Sequence, residues 1–113
     1  MQEDNSEKTK RRWQRFDVEL RATLKVSRQG VERQYSGTAH DISEGGSRLF
    51  VPGDLHPGEE IKLRLALPYS DPVELKGVIR NRDRFEYGVE FVGISQEDRA
   101  ILIRNCRALS LLT

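Results

Sequence analysis

Residues 18–26 have the sequence VELRATLKV, in which apolar residues alternate with polar ones over nine positions. A period of two places the apolar side chains on one face of an extended chain, so this stretch predicts a β-strand with one buried face. The same alternation recurs over residues 61–67, 73–80 and 85–91. These four stretches predict a protein built mainly from strands.

Two more strands are predicted between the first two alternating stretches. Residues 31–42 carry several β-compatible side chains. Gly45 and Gly46 interrupt this strand pattern, and it resumes over residues 47–51. Turn-forming residues separate the six predicted strands. Short strands joined by hairpin-like turns favour a small antiparallel barrel or sandwich.

A helix is predicted after the last strand. Ser95 is followed three residues later by Asp98, a pattern typical of a helix capping box. The apolar residues beyond it recur at helical spacing, namely Ile101, Leu102, Cys106 and Leu109. The expected architecture is therefore six strands followed by one C-terminal helix, which covers an open end of the sheet structure.

The composition fits one compact domain. The chain has 113 residues, 36% hydrophobic and 33% charged, with a formal net charge of +1. We expect a flexible tail at residues 1–9 and a single domain over residues 10–113. The single cysteine excludes an internal disulfide and fits a reducing compartment. Without a signal-peptide pattern or a run of about 18 apolar residues, we expect a soluble cytoplasmic protein with no membrane insertion.

Residues 8–15, which contain RRWQR at 11–15, carry five basic side chains and no acidic one. Arginine is permanently charged and forms paired hydrogen bonds to phosphate oxygens or to the edge of guanine. In a turn, Arg11 and Arg15 would lie on one side and clamp one ligand. The alternative is a solvated basic tail with no specific ligand.

Residues 41–46 have the sequence DISEGG and form a second candidate site. Asp41 can accept hydrogen bonds from a base, Ser43 can donate to a phosphate oxygen, and Gly46 permits positive φ and close approach of a ligand to the backbone. The alternative is a hairpin turn whose polar groups bond only to their own backbone. His40 and Asp41 are expected to face opposite ways, as neighbours in a strand do.

Arg-x-x-x-Arg before the first strand, with Asp-x-Ser-x-x-Gly after the second, resembles the two-part signature of the PilZ domain. The resemblance runs from about residue 10 to residue 109, and residues 48–50, 58–61 and 87–91 also resemble strands of that family. It implies a mainly β fold: a six-stranded antiparallel β-barrel, PilZ-like and split, with a C-terminal α-helix. It also implies binding of the bacterial second messenger cyclic di-GMP.

The resemblance assigns a role to each motif. One arginine pair, Arg11 and Arg15, is expected to engage phosphates and guanine. The second motif is expected to bond the rest of the nucleotide through Asp41, Ser43 and Gly46.

Two neighbouring arginines complete the expected ligand-binding set. Arg12 belongs to the basic cluster, and Arg48 shares the sheet face of Gly46. Three more residues are left open as ligand contacts: Trp13, Arg80 and Arg82.

The expected function is a cyclic di-GMP receptor whose segment 8–15 closes over the ligand and changes the surface that a downstream protein contacts. The family suggests motility or exopolysaccharide machinery as that partner. Two alternatives stay open: a PilZ-like adaptor that binds no nucleotide, and a small barrel that binds single-stranded nucleic acid. The near-zero net charge and the 7% aromatic content argue against nucleic acid.

No sequence feature predicts catalysis. His40, His56 and Cys106 lack metal-ligand spacing, and no nucleophile or phosphate-loop motif occurs. Cys106 lies on the apolar side of the predicted helix and is expected in the core. We therefore expect a binding protein, not an enzyme, that needs neither cofactor nor metal.

Overall fold

The computed structural model describes residues 14–112, which form six strands and one helix. The elements are β1 Phe16–Arg28, β2 Val31–Ile42, β3 Gly46–Phe50, β4 Glu60–Leu65, β5 Val73–Asp83, β6 Glu86–Val92 and α1 Gln96–Leu112. The predicted order of strands and helix is confirmed. The predicted tail at residues 1–9 lies outside the described residues.

The six strands close into an antiparallel barrel in the order β1-β2-β3-β6-β5-β4. The ring closes because β1 pairs on both sides: Leu24 lies opposite Tyr35 of β2 and opposite Leu63 of β4. This continuous pairing decides between the barrel and the sandwich that strand pattern alone left open. The barrel implied by the resemblance is confirmed.

The predicted alternation accounts for the core. In β1 the inward side chains of Leu20, Ala22, Leu24 and Val26 are all buried, while polar residues alternate with them outside. The other strands contribute matching inward rows, and these rows meet in one hydrophobic cluster. Burial of this apolar surface stabilises the barrel.

Helix α1 packs against β1 and the turn between β4 and β5. The hydroxyl of Ser95 accepts a hydrogen bond from the amide of Asp98 at 3.0 Å, so the predicted cap is present. Asn105 is 2% exposed, and its side-chain oxygen accepts from the amide of Tyr69 at 2.8 Å. Burial raises the pKa of Cys106 to about 11, which makes its thiolate unfavourable and agrees with the predicted core position.

The described part of the chain contains no helix with the length and apolar character needed to span a membrane.

A buried tyrosine holds the loop between β3 and β4 against the barrel. The hydroxyl of Tyr87 donates to the carbonyl oxygen of Gly53 and accepts from the amide of Leu55. Arg82 joins the same loop, donating to the carbonyl of Leu55 at 3.1 Å and to the carboxylate of Asp54 at 2.8 Å. Arg82, left open as a ligand contact, is therefore engaged in structural contacts with this loop.

A bidentate ion pair joins the end of β1 to the residue before β4. Arg28 donates from Nε and Nη2 to the two carboxylate oxygens of Glu59, at 2.6 and 2.7 Å. Glu59 also accepts from the amide of His56 at 2.8 Å. Hydrogen bonding from Arg28 lowers the pKa of Glu59 below its ordinary value, because the ionised carboxylate is favoured.

Glu59→Gln is expected to lower the free energy of unfolding at neutral pH by about 1–2 kcal/mol, because a charge-assisted pair is lost. The folded-state pKa of Glu59 is lowered, so the pair stabilises the protein fully above the ordinary value of 4.5. That contribution disappears as pH falls through the folded-state pKa. Urea unfolding at a series of pH values measures the difference between the two proteins. A difference that stays constant into acid would contradict the assignment.

Candidate functional site

An open cleft of about 270 Å³ lies on the outside of the barrel, where the β2–β3 turn meets β5 and β6. Three arginines and two carboxylates are among its lining residues, so its local charge favours an anionic occupant. The lining consists of Arg15, Asp41, Ser43, Gly45, Gly46, Ser47, Arg48, Arg80, Asn81, Gly88, Val89 and Glu90.

The cleft brings together five of the seven predicted ligand residues, namely Arg15, Asp41, Ser43, Gly46 and Arg48. Arg15 immediately precedes β1, and it reaches the turn because the start of β1 pairs with the end of β2, with Asp17 opposite Asp41. The other two predicted residues, Arg11 and Arg12, lie outside the described residues, as does Trp13. Ligand contact by all seven stays a prediction.

Hydrogen bonds within the β2–β3 turn shape this side of the cleft. The amide of Ser43 donates to the carbonyl of Gly46 at 2.9 Å, and the Ser43 hydroxyl accepts from the amide of Gly45 at 3.2 Å. Asp41 Oδ1 accepts from the amide of Arg48 at 3.2 Å. The turn residues thus bond to their own backbone, as the hairpin alternative required, and they also line the cleft.

A β-bulge at His40 carries Asp41 to the outside of the barrel. The register between β2 and β3 shifts between Ala39 and Asp41, and the two buried residues of this segment, Ala39 and Ile42, are three positions apart. His40 and Asp41 therefore both lie outside the core, and the expectation that they face opposite ways was wrong. His40 is directed to Glu86, with its Nε2 3.9 Å from the carboxylate.

A second bulge places two consecutive residues of β5 in the cleft. Ile79 lies opposite Val89, but Asn81 lies opposite Gly88, so Arg80 is the extra residue. Arg80 and Asn81 are both exposed as a result, although neighbours in a regular strand alternate. The sequence left Arg80 open, and the structure places it in the cleft.

Two glycines permit the close packing of the cleft floor. A Cβ at Gly46 would collide with the backbone carbonyl oxygen of Val89, on the paired strand β6. Gly46 does not have positive φ, so the conformational reason expected from the sequence was wrong. A Cβ at Gly88 would lie 2.6 Å from the side-chain oxygen of Asn81, which occupies the space above that glycine.

An ion pair lies inside the cleft. Arg80 Nε donates to Glu90 Oε1 at 2.5 Å, and the two side chains are 56% and 55% exposed. An exposed pair of this kind contributes little to stability, because solvent competes for both charges. Arg80 can therefore exchange Glu90 for another anion at low cost.

Seven lining residues were not among the predicted site residues: Gly45, Ser47, Arg80, Asn81, Gly88, Val89 and Glu90. A strand pattern cannot locate the bulge that turns Arg80 and Asn81 outward together. Gly88 did offer a signal, since an isolated glycine within a strand often marks close approach of another group. Among residues 14–112, no cluster of histidine, cysteine, aspartate and glutamate could hold a metal ion.

The family model described as PilZ domain matches residues 9–108. A search of curated proteins gave no significant match.

Three solved structures share the fold. The Bacillus subtilis inhibitor of motility (MotI/DgrA) has a TM-score of 0.72 and 21% identity over 91% of this chain and 52% of its own, so the present chain spans about half of it. The PilZ domain of CeSA from a cellulose-synthesizing bacterium has a TM-score of 0.65 and 16% identity over 86% and 98%. The PilZ domain of YcgR from Escherichia coli, solved with c-di-GMP, has a TM-score of 0.70 and 12% identity over 88% and 91%.

Proposed function

The chain belongs to the PilZ domain family, and we propose that it is a receptor that binds cyclic di-GMP in the cleft beside the β2–β3 turn. The observation that carries this proposal is that Arg15 of the first motif lines one cleft with Asp41 and Ser43 of the second motif and with Arg48, two residues beyond it. The structurally similar YcgR domain was solved with the same nucleotide. The protein acts by binding, not by catalysis.

The chemistry of the ligand fits the groups in the cleft. Cyclic di-GMP carries two phosphates and two guanines, which require guanidinium groups and a carboxylate acceptor for guanine N–H groups. Arg15 and Arg48 are exposed and supply the guanidinium groups. Asp41 uses Oδ1 for the amide of Arg48, and its other carboxylate oxygen is assigned to guanine. Arg11 and Arg12 are proposed to complete the arginine side of the site.

Arg80 and Glu90 are expected to have opposite effects on the affinity for the ligand. A ligand phosphate near Arg80 would replace the Glu90 carboxylate, since the exposed pair is weak. Glu90 would then remain beside an anionic ligand and oppose binding. We propose that Arg80 is a ligand contact and that Glu90 limits affinity.

Glu90→Gln is expected to strengthen cyclic di-GMP binding about two- to tenfold, and Arg80→Ala to weaken it by a similar factor. Calorimetric titration measures both. The matched controls are Glu74→Gln and Arg64→Ala, which break another exposed Arg–Glu pair, 3.0 Å long, outside the cleft. Weaker binding by Glu90→Gln would instead mean that Glu90 orients Arg80 for the ligand.

Signal output is proposed to start with residues 8–15. Their arginines are assigned to the ligand, so binding orders this segment beside the cleft at a backbone cost of about 1–2 kcal/mol per residue. Hydrogen exchange measured by mass spectrometry is expected to show slower exchange over residues 8–15 when cyclic di-GMP saturates the protein. Equal exchange with and without ligand would exclude this step.

We propose a protein partner in motility or exopolysaccharide synthesis, acting in the cytoplasm. The structural neighbours include an inhibitor of motility and a domain from a cellulose-synthesizing bacterium. The β2–β3 turn beside the cleft contacts the helix, because the Glu44 carboxylate lies 3.7 Å from Nε of Arg99 in α1.

Calorimetry with cyclic di-GMP tests the central proposal. The expected result is saturable binding that Asp41→Ala abolishes or strongly weakens. An adaptor that does not bind nucleotide would release no heat. A nucleic-acid-binding barrel would bind single-stranded oligonucleotides with strong salt dependence, and Asp41→Ala would not weaken that binding.

A further inference from the structure

The three lysines of residues 14–112 form one row across the outside of the barrel. Lys25 of β1 lies directly opposite Lys62 of β4, and Lys62 lies directly opposite Lys76 of β5. All three side chains are exposed. Every other permanently charged cation in this part of the chain is an arginine, so lysine is concentrated on this surface, which we call the lysine row.

The lysine row is electrostatically unfavourable for the isolated barrel. Neighbouring strands are about 4.8 Å apart, and like charges directly opposite each other destabilise a sheet. Within the described residues, none of the three lysines forms an ion pair with a carboxylate. The adjacent row on β4 and β5 does contain such a pair, Arg64 with Glu74 at 3.0 Å. The repulsion in the lysine row would be relieved by an external anionic group.

The surroundings of the lysine row favour a narrow partner. The row lies in a groove of about 690 Å³ that also includes Val92, which is 45% exposed, and three glutamates. Glu59 is bound to Arg28, and the other two are Glu32 and Glu60. A flat anionic membrane would be brought close to these two glutamates and repelled by them. A narrow acidic segment that follows the lysines would avoid them.

We propose that the lysine row docks an acidic helix of a partner protein. Carboxylates at positions i, i+4 and i+7 of a helix lie on one face and span about 10.5 Å along its axis. The lysine row spans two strand spacings, or about 10 Å. An extended segment fits less well, because its side chains on one face repeat at about 6.7 Å. The exposed Val92 at the end of the row accepts an apolar residue of the same helix.

Chemical cross-linking tests this surface with the full chain. The probe is a synthetic helical peptide with three glutamates at i, i+4 and i+7, and a carbodiimide joins its carboxylates to lysine amines. Mass spectrometry is expected to find the links at Lys25, Lys62 and Lys76 in preference to Lys8 and Lys10. A peptide of the same composition with the glutamates spread around the helix should link less.

Affinity measurements separate the lysine row from general charge attraction. The triple variant K25Q/K62Q/K76Q is expected to bind the fluorescent peptide about tenfold more weakly. The matched control R21Q/R33Q/R107Q removes three exposed charges elsewhere and should stay within about twofold of the unchanged protein. Circular dichroism verifies that both variants fold.

Three results would overturn the proposal. The first is an equal loss of peptide binding in both triple variants, the second is cross-linking mainly at Lys8 and Lys10, and the third is absence of peptide binding by the unchanged protein. Preferential binding to vesicles containing phosphatidylserine, lost in K25Q/K62Q/K76Q, would assign the row to a membrane surface and reject the helix.

Discussion

Arg15→Ala is expected to weaken cyclic di-GMP binding roughly ten- to hundredfold. Arg15 is exposed at the edge of the cleft, beside the β2–β3 turn, where its guanidinium can form charge-assisted hydrogen bonds to phosphate or guanine. Such a bond contributes about 1.5–3 kcal/mol, and about 1.4 kcal/mol corresponds to a factor of ten in affinity. Calorimetric titration of the two proteins under the same salt conditions measures the change.

Two control variants make this result specific. Arg33→Ala removes the same charge from an exposed position on β2 that does not line the cleft, and its affinity should be unchanged. Arg15→Lys keeps the charge but loses the planar fork of donors, so we expect an intermediate affinity. If Arg15→Ala and Arg33→Ala weaken binding equally, the effect comes from net charge and Arg15 makes no specific contact.

Gly46→Ala is expected to lower the free energy of unfolding by about 3 kcal/mol, at the upper end of the range for overpacked sites. The new Cβ would collide with the backbone carbonyl of Val89, and the backbone of a paired strand cannot move aside as a side chain can. Pairing of Gly46 with Glu90 would be disturbed, and the cleft with it. Urea denaturation measures the loss of stability.

Gly88→Ala is the matched comparison. The three atoms nearest to its Cβ would all belong to the side-chain amide of Asn81, which can rotate away. We expect less than about 1 kcal/mol of destabilisation, but weaker ligand binding, because Asn81 would be displaced within the cleft. An equal loss of stability in the two variants would show that the distinction between backbone and side-chain neighbours does not hold here.

Much of the fold was predictable because alternation and turn chemistry are local. The pattern of residues 18–26 predicts the inward row of β1, and Ser95 predicts the start of α1, since both depend on residues close in sequence. Closure of the barrel was not predictable from the pattern alone. It depends on pairing between β1 and β4, and equal alternation would also fit a sandwich.

The residues of the candidate site also differ in whether local sequence predicted them. Asp41 and Ser43 were predicted because the DISEGG turn is a local motif, and Arg48 because it lies two residues beyond Gly46 on the same strand face. The structure places all three with Arg15 in one cleft. Arg80 and Asn81 were not predicted together, because a bulge interrupts the alternation on which the prediction relied. The same kind of irregularity at His40 overturned the expected orientation of that residue relative to Asp41.

The sequence by itself therefore determined the six strands, the helix and the two motifs of the site, because each follows from the chemistry of neighbouring residues. Only the tertiary structure decided that the barrel closes, that Arg80 and Glu90 enter the cleft, and that Lys25, Lys62 and Lys76 align. These three features depend on strand order and register, since those bring together residues that are distant along the chain. For Gly46, the reason for glycine lies in the opposite strand, where the carbonyl of Val89 leaves no room for a side chain.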